Sequence, residues 1–276
     1  MGIKVGISSD IGYRDKMEDE YAIYEREKIH FFSAEVYDGH NGRRAAVICS
    51  EMLTPHFLHL ISEEIVRENP DYSRFPEFIR ESCLTVDNFI VQKGIMAGTT
   101  VSNFYILKDR FFSANIGDSR TIIGTHKGCE VLTEDHKPDT PKEKSRIEAA
   151  GGFVIRFGVA RVQGELAMSR AIGDAHLKPY VIAEPFVISG LLGRENDFVV
   201  VACDGIWDVL SNQEAIDMTR KAKDAQKAAD MILNAATFKG SSDNKTVIVI
   251  DLRDYEEKNH RESFVIIDKK DFAFLN

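Results

Sequence analysis

Short runs rich in β-branched and aromatic residues, bounded by polar turns, recur along the chain. They predict strands at Ile3–Ser8, Tyr21–Glu25, Ile29–Tyr37, Thr99–Leu107, Arg110–Ile116, Thr121–Thr125, Val181–Ile188, Phe198–Cys203 and Thr246–Leu252. Many are joined by short polar turns, the connection that antiparallel meanders use. Three helices stand out between them. The first is expected from about Gly42 to Val66 with a kink at Pro55, and the second from about Phe75 to Val91. The third is delimited by its ends: Thr140 as cap, Pro141 at the first position, Glu143 closing a capping box and Gly151 in the turn beyond. A fourth helical region opens at Ser211 with another capping box through Glu214 and reaches about Ala236 in one or two pieces. Strands in runs with helices interspersed, rather than strict alternation, predict an α+β architecture. No repeat, low-complexity tract or Pro/Gly/Ser-rich linker interrupts the pattern, so residues 1–276 are expected to form one domain.

Carboxylates fall at the ends of these elements. Asp38-Gly39-His40-Asn41-Gly42 follows the apolar strand ending at Tyr37, and the glycines leave the Gly39 carbonyl free to serve as a hard oxygen ligand. Taken alone, an Asp-Gly pair is more often a plain turn. The logic repeats at Asp204-Gly205, which closes the nearly all-apolar run Phe198–Cys203 and is followed by Asp208. Asp243-Asn244 sits in a polar loop before the strand at 247–252, and Asp118 lies in a tight turn between two strands. Arg14 with Met17-Glu18-Asp19 gathers one cation and two carboxylates ahead of a strand; alone, that cluster reads as a solvated loop. A donor set of carboxylates and a carbonyl favours Mg²⁺ or Mn²⁺ over Zn²⁺, which prefers Cys and His. His56-x-x-His59 reads as two surface histidines on a helix.

Composition changes the picture in two respects. With 44 acidic and 35 basic residues the net charge is −9, which argues against nucleic acid or an anionic membrane as the main partner. The four cysteines, Cys49, Cys83, Cys129 and Cys203, are irregularly spaced with no C-x-x-C pair, so neither a zinc knuckle nor a secreted disulfide framework is indicated. With no apolar segment behind Met1-Gly2-Ile3-Lys4, the expected location is cytoplasmic or nuclear.

Taken in order, these segments resemble the metal-dependent protein phosphatases of the 2C type. The resemblance is nearly whole-chain: Arg14-x-x-Met17-Glu18-Asp19, Val36-Tyr37-Asp38-Gly39-His40, Gly98-Thr99-Thr100, Asn115-x-Gly117-Asp118-Ser119-Arg120 and Asp135-His136-Lys137-Pro138. It continues through Arg146-Ile147, Gly151-Gly152, Arg161-Val162-x-Gly164, Ser169-Arg170-Ala171-x-Gly173-Asp174, Cys203-Asp204-Gly205-x-Trp207-Asp208 and Asp243-Asn244-x-Thr246. It implies a central sandwich of two antiparallel β-sheets with helices outside, and a centre of two Mg²⁺ or Mn²⁺ ions. It further implies that Asp38 bridges the metals, that Asp204 and Asp243 complete one, and that the Gly39 carbonyl with Glu18 completes the other. Asp118 and Asp208 would hold a weaker third ion, Arg14 the substrate phosphate, and His40 would protonate the leaving oxygen. Phosphoproteins are the implied substrates, and a monomer is expected. Three features depart from the family pattern: the charge of Glu35 inside a strand, Thr99-Thr100 in place of Ser-Thr, and a short segment after Asp174 where the family has its flap. The tail, including Phe264–Ile267 and Phe272-Ala273-Phe274-Leu275, has no assignment.

Phosphate monoesters have very high uncatalysed barriers, so the site needs an activated nucleophile, charge neutralisation and help for the leaving group. Two metals supply the first two, and a planar guanidinium suits phosphate. No cysteine is followed six residues later by Arg, and no Asp-x-Asp pair exists, so thiol and aspartyl-phosphate routes are not indicated. Gly173-Asp174-Ala175-His176 is similar to a motif of the other metal-dependent serine/threonine phosphatase family. The remaining motifs of that family, including Gly-Asn-His-Glu, are absent, so Asp174 is read as structural. A non-catalytic relative that has lost its metals is the rival reading, and the intact set Asp38, Asp204 and Asp243 argues against it.

Overall fold

The computed structural model describes residues 2–67, 69–257 and 265–271. Two antiparallel sheets form its centre. One runs in the order Lys4–Asp10, Lys245–Asp251, Phe198–Ala202, Arg120–Thr125, Gly128–Val131. The other runs Val265–Asp271, Phe186–Leu191, Arg110–Ile116, Val101–Leu107, Phe31–Tyr37, Glu20–Arg26. The two-residue period decides what each strand buries. Phe32, Ala34 and Val36 from one sheet meet Val199, Val201, Ile248 and Ile250 from the other in a shared core. On the first sheet's outer face, Val200, Ala202, Val247 and Val249 pack on the helices Asn212–Lys221 and Ala225–Phe238. On the second sheet's outer face, Phe31, Tyr37, Tyr105 and Phe112 pack on Arg44–Leu60 and Phe75–Gln92. A strand covered on both sides has no polar face to show, which is why Phe198–Ala202 reads as an unbroken apolar run. The α+β sandwich with helices outside is the architecture that the sequence implied.

Four expectations need correction. The first helix continues through Pro55 and stops at Leu60, with a separate turn at Ser62–Ile65. The strand placed at 181–188 is Phe186–Leu191; Pro185 lacks the N–H a ladder needs, and pairing begins just after it. The helix Pro141–Ala149 has no capping box: the Thr140 hydroxyl donates to the Lys137 carbonyl, and the Glu143 carboxylate is taken by Arg146, Ser169 and Arg170. The wall beside the cleft is built before Asp174 rather than after it, by Arg161 of the hairpin Val154–Phe157 and Val159–Val162 and by Leu166, Ala167 and Met168 beyond it; sequence reasoning missed this hairpin along with Gly128–Val131. The second capping box is present, with Ser211 and Glu214 exchanging hydrogen bonds at the start of Asn212–Lys221. Within the unassigned tail, Val265–Asp271 forms an edge strand on Phe186–Leu191, while Phe264 and Phe272–Leu275 lie outside the described residues. No helix among the described residues is long and apolar enough to cross a membrane.

The anomalous charge of Glu35 is fully buried and hydrogen-bonded. Ser33 Oγ (2.7 Å), Tyr37 Oη (2.5 Å) and Thr54 Oγ1 donate to its carboxylate. Burial raises its pKa to about 7, against the effect of those three donors.

Antiparallel register gathers the site at one end. The pairs Ala202↔Val247, Ala202↔Arg120, Asp10↔Lys245 and Glu20↔Tyr37 place the loops bearing Asp204, Asp243, Asp118, Arg14, Glu18 and Asp38 together.

Candidate active site

A cleft of about 620 Å³ opens at that end, lined by Arg14, Glu18, Asp38, Gly39, His40, Asp204 and Asp243, with Arg161, Leu166 and Met168 on the opposite wall. Asp38 extends the strand Phe31–Tyr37 by one residue, and its backbone is fixed on both sides. Its N–H donates to Thr100 Oγ1 at 3.1 Å, and its carbonyl accepts from the Thr100 N–H at 2.9 Å. The hydroxyl that holds Asp38 is that of Thr100, which follows the family pattern; the departing residue, Thr99, instead donates its hydroxyl to the Thr100 carbonyl. Gly39 is required by close packing, since a Cβ there would stand 2.4 Å from the Glu18 carbonyl oxygen.

The loop carrying Arg14 is held down by Asn244. Its side-chain amide donates to the carbonyls of Ile11 (2.8 Å) and Lys16 (3.0 Å), and its Oδ1 accepts from the Glu18 N–H at 2.8 Å. Arg14 itself reaches across to Asp243, with Nη2 2.6 Å from Oδ2 and its side chain 60% exposed. Asp204 begins the short helix Asp204–Trp207.

Asp19 was passed over in the sequence as part of a loop. It is 2% exposed, accepts from Thr246 Oγ1 at 2.7 Å, and leaves Oδ1 with no partner among the described residues. Its carboxylate, that of Asp38 and the thiol of Cys203 bring donor atoms within 4.8 Å of one another. Only its place beside Glu18 could have drawn attention to it. The predicted pair Asp118 and Asp208 lies just outside the cleft lining. Asp118 is buried, takes Lys137 Nζ on Oδ2, and has no partner on Oδ1. Asp208 is exposed.

The electrostatics of the set are those of an acidic cage. Burial raises Asp38 well above the usual carboxylate range, and the charges of Asp204, Asp19 and Asp118 push it further. Asp204 is raised to about 7 by burial and then by Asp118 and Asp208. Asp19 is raised to about 6, chiefly by burial. Asp208 is raised by burial and by Asp118, while Lys137 opposes the shift. Carboxylates that oppose one another's ionisation, with buried oxygens left unpartnered, are compensated by protons or by cations. The residues therefore fit oxygen-preferring divalent ions.

His40 lines the cleft. Its Nε2 lies 2.6 Å from Oδ2 of Asp174, a residue read as structural from the sequence and here fully buried beneath the histidine.

The family description "Protein phosphatase 2C" matches residues 3–245. Over 259 residues the chain is 36% identical to "Probable protein phosphatase 2C 45" of Oryza sativa subsp. japonica, covering 89% of this chain and 86% of the relative. It is also 36% identical over 260 residues to "Probable protein phosphatase 2C 59" of Arabidopsis thaliana, covering 89% and 78%. The fold is similar to the crystal structure of a serine-threonine phosphatase 2C from Toxoplasma gondii, with a TM-score of 0.79, 24% identity, and coverage of 90% of this chain and 94% of that one. An acidic cleft at one end of the sandwich, a match over 243 of 276 residues (3 to 245) and relatives matched over most of their length together establish that the chain belongs to the protein phosphatase 2C family of serine/threonine phosphatases.

Proposed function

We infer that the cleft hydrolyses phosphoserine and phosphothreonine in other proteins at a centre of two Mg²⁺ or Mn²⁺ ions. The convergence of Asp38, Asp204, Asp243 and Glu18 with the Gly39 carbonyl in one cleft carries this reading. Asp38 would bridge the ions, Asp204 and Asp243 would complete one, and Glu18 with the Gly39 carbonyl the other. Asp118 and Asp208 are the carboxylates for a weaker third. Bound there, the ions would supply a water of lowered pKa and neutralise phosphate charge.

The chain's own residues supply the rest. Arg14 is exposed and, among the described residues, is tied to the cleft through Asp243, so its guanidinium can turn to take two phosphate oxygens in parallel. His40 donates a proton to the seryl or threonyl oxygen as the P–O bond breaks, and the bonding electrons stay on that oxygen. Lys137 supplies the counter-charge beside buried Asp118. The four cysteines are free thiols, which suits a reducing compartment such as cytoplasm or nucleus. The shared core between the two sheets suits one catalytic domain spanning residues 1–276, which we read as a monomer.

Phosphate release from a phosphoserine peptide by the wild type and by Asp38→Asn tests the reading. Turnover by the wild type and its loss in the variant is the expected pattern. Equal turnover by both would place the reaction elsewhere.

A further inference from the structure

We propose that Asp174 is a positioning residue for His40, fixing both the orientation of its ring and the nitrogen from which its proton leaves. The inference rests on the reading of His40 as proton donor. Its own basis is geometric. A small three-stranded sheet sets Ile172–Gly173 against Gly98–Thr99, and Gly98–Thr99 against Gly39–His40. This brings Asp174 beside His40 across Gly98. A Cβ at Gly98 would stand 2.0 Å from Asp174 Oδ2 and 2.4 Å from His40 Nε2, so the dyad occupies the space that a side chain at position 98 would need.

Asp174 is also held in a conformation that a non-glycine residue adopts at a cost. Its φ is 51° and ψ 47°, in the left-handed region, directly after Gly173 at φ 91°. The surroundings enforce it. Gly173 N–H donates to Asp87 Oδ1 at 2.8 Å, the Asp174 carbonyl accepts from Leu177 N–H at 2.8 Å, and Lys178 Nζ ties Asp87 in turn at 2.9 Å. A merely structural turn at this place would be better served by glycine. The carboxylate instead points at the ring.

The consequence for His40 follows from its two nitrogens. Nε2 lies against Asp174 Oδ2, where an ionised carboxylate can only accept, and Nδ1 is buried with no partner among the described residues. In a doubly protonated ring both nitrogens are donors, so with Nε2 engaged the proton that can leave is the one on Nδ1, an atom closed to solvent here that must be uncovered to meet the substrate. The carboxylate selects the tautomer and holds the ring, as the third member of a catalytic triad does.

The test compares Asp174→Ala, Asp174→Asn and His40→Ala on a phosphoserine peptide and on 4-nitrophenyl phosphate, whose leaving group needs no proton. All are measured at saturating Mn²⁺, with Mn²⁺ affinity and Tm determined for each. Asp174→Ala is expected to lower kcat on the peptide roughly 10- to 100-fold with little change in KM, and on the aryl phosphate by no more than about threefold. Asp174→Asn, which keeps an oxygen acceptor for Nε2–H, is expected to recover part of that loss. A selective His40→Ala beside an unimpaired or non-selective Asp174→Ala overturns this proposal alone. A non-selective His40→Ala overturns the proton-donor reading and this proposal with it. A second readout does not depend on the variants folding. Long-range ¹⁵N–¹H spectra of the Mg²⁺-bound wild type, with the ring neutral, should show His40 protonated on Nε2, and the Nδ1–H tautomer would contradict the proposal.

Discussion

Glu143 and Arg170 form an ion pair closed to water, with Nη2 of the arginine 2.6 Å from Oε1 of the glutamate. Arg146 Nη2 and Ser169 Oγ share the other oxygen at 2.9 and 2.8 Å. Burial alone would lift the glutamate's pKa, but the hydrogen bond and charge of Arg170, with the charge of Arg146, outweigh it and hold the carboxyl at about 2. The cluster lies beneath the wall segment that ends at Met168, so it links the helix Pro141–Ala149 to the cleft.

Removing this glutamate should be costly. Asp/Glu groups with a lowered pKa contribute stability above their unfolded pKa, here 4.5, and lose it as pH falls through the folded value, here about 2. At pH 7 the contribution is fully present. Glu143→Ala leaves two buried guanidinium groups without their counter-charge, so urea unfolding should show a loss of about 3–5 kcal/mol. A loss below about 1 kcal/mol would mean that water or another acceptor replaces the carboxylate.

Glu35 should make stability fall with rising pH. Its folded pKa of about 7 lies above the unfolded 4.5, so the protonated folded form is favoured below 4.5 and that advantage disappears as pH rises through 7. The shift corresponds to about 3 kcal/mol across that window. Glu35→Gln cannot ionise, and the difference in unfolding free energy between wild type and variant should therefore change by about that amount between pH 4.5 and pH 8. A difference independent of pH would show that Glu35 is already ionised at the lower end.

Asp204→Asn should reverse the order of stability with and without metal. Burial and the neighbouring Asp118 and Asp208 raise Asp204 to about 7, so the metal-free wild type near pH 8 carries a strained charge that the amide removes. The metal-free variant is expected to be more stable by on the order of 1–2 kcal/mol. With Mn²⁺ at 100 times its Kd the wild type should gain about 2.7 kcal/mol, while the variant gains less and turns over more slowly. Equal gains measured by thermal unfolding would remove Asp204 from the ligand set.

His40→Ala should separate substrates by leaving group. A serine alkoxide is strongly basic, so loss of the donor should slow phosphopeptide hydrolysis roughly 10²- to 10⁴-fold. An activated aryl phosphate should retain much more of its rate. Equal losses on the two substrates would mean that His40 only supports the turn after Gly39.

Much of the site could be read in the sequence because it sits where buried strands end. Asp204 follows an unbroken apolar run and Asp38 a strand apolar but for Ser33 and Glu35, and an Asp-Gly pair there leaves few other roles for the carboxylate. Glu143 was misread because Ser/Thr-x-x-Glu spells both a capping box and a glutamate free to turn inward, and only the distant Arg170 decides between them. The contact of Asp174 with His40 was not legible because the two are 134 residues apart in the chain. Asp19 was hidden by its neighbour: alternation says that Glu18 and Asp19 face opposite ways, but not which one turns toward Asp38. The strand predicted from Val181 failed at Pro185, where the missing N–H outweighs the apolar run.

The central claim is that hydrolysis depends on cations held by the acidic cleft. Enzyme dialysed against EDTA should release no phosphate from a phosphoserine peptide, and graded Mn²⁺ should restore turnover along the same curve that it follows in raising Tm. Full turnover in excess chelator would contradict the account.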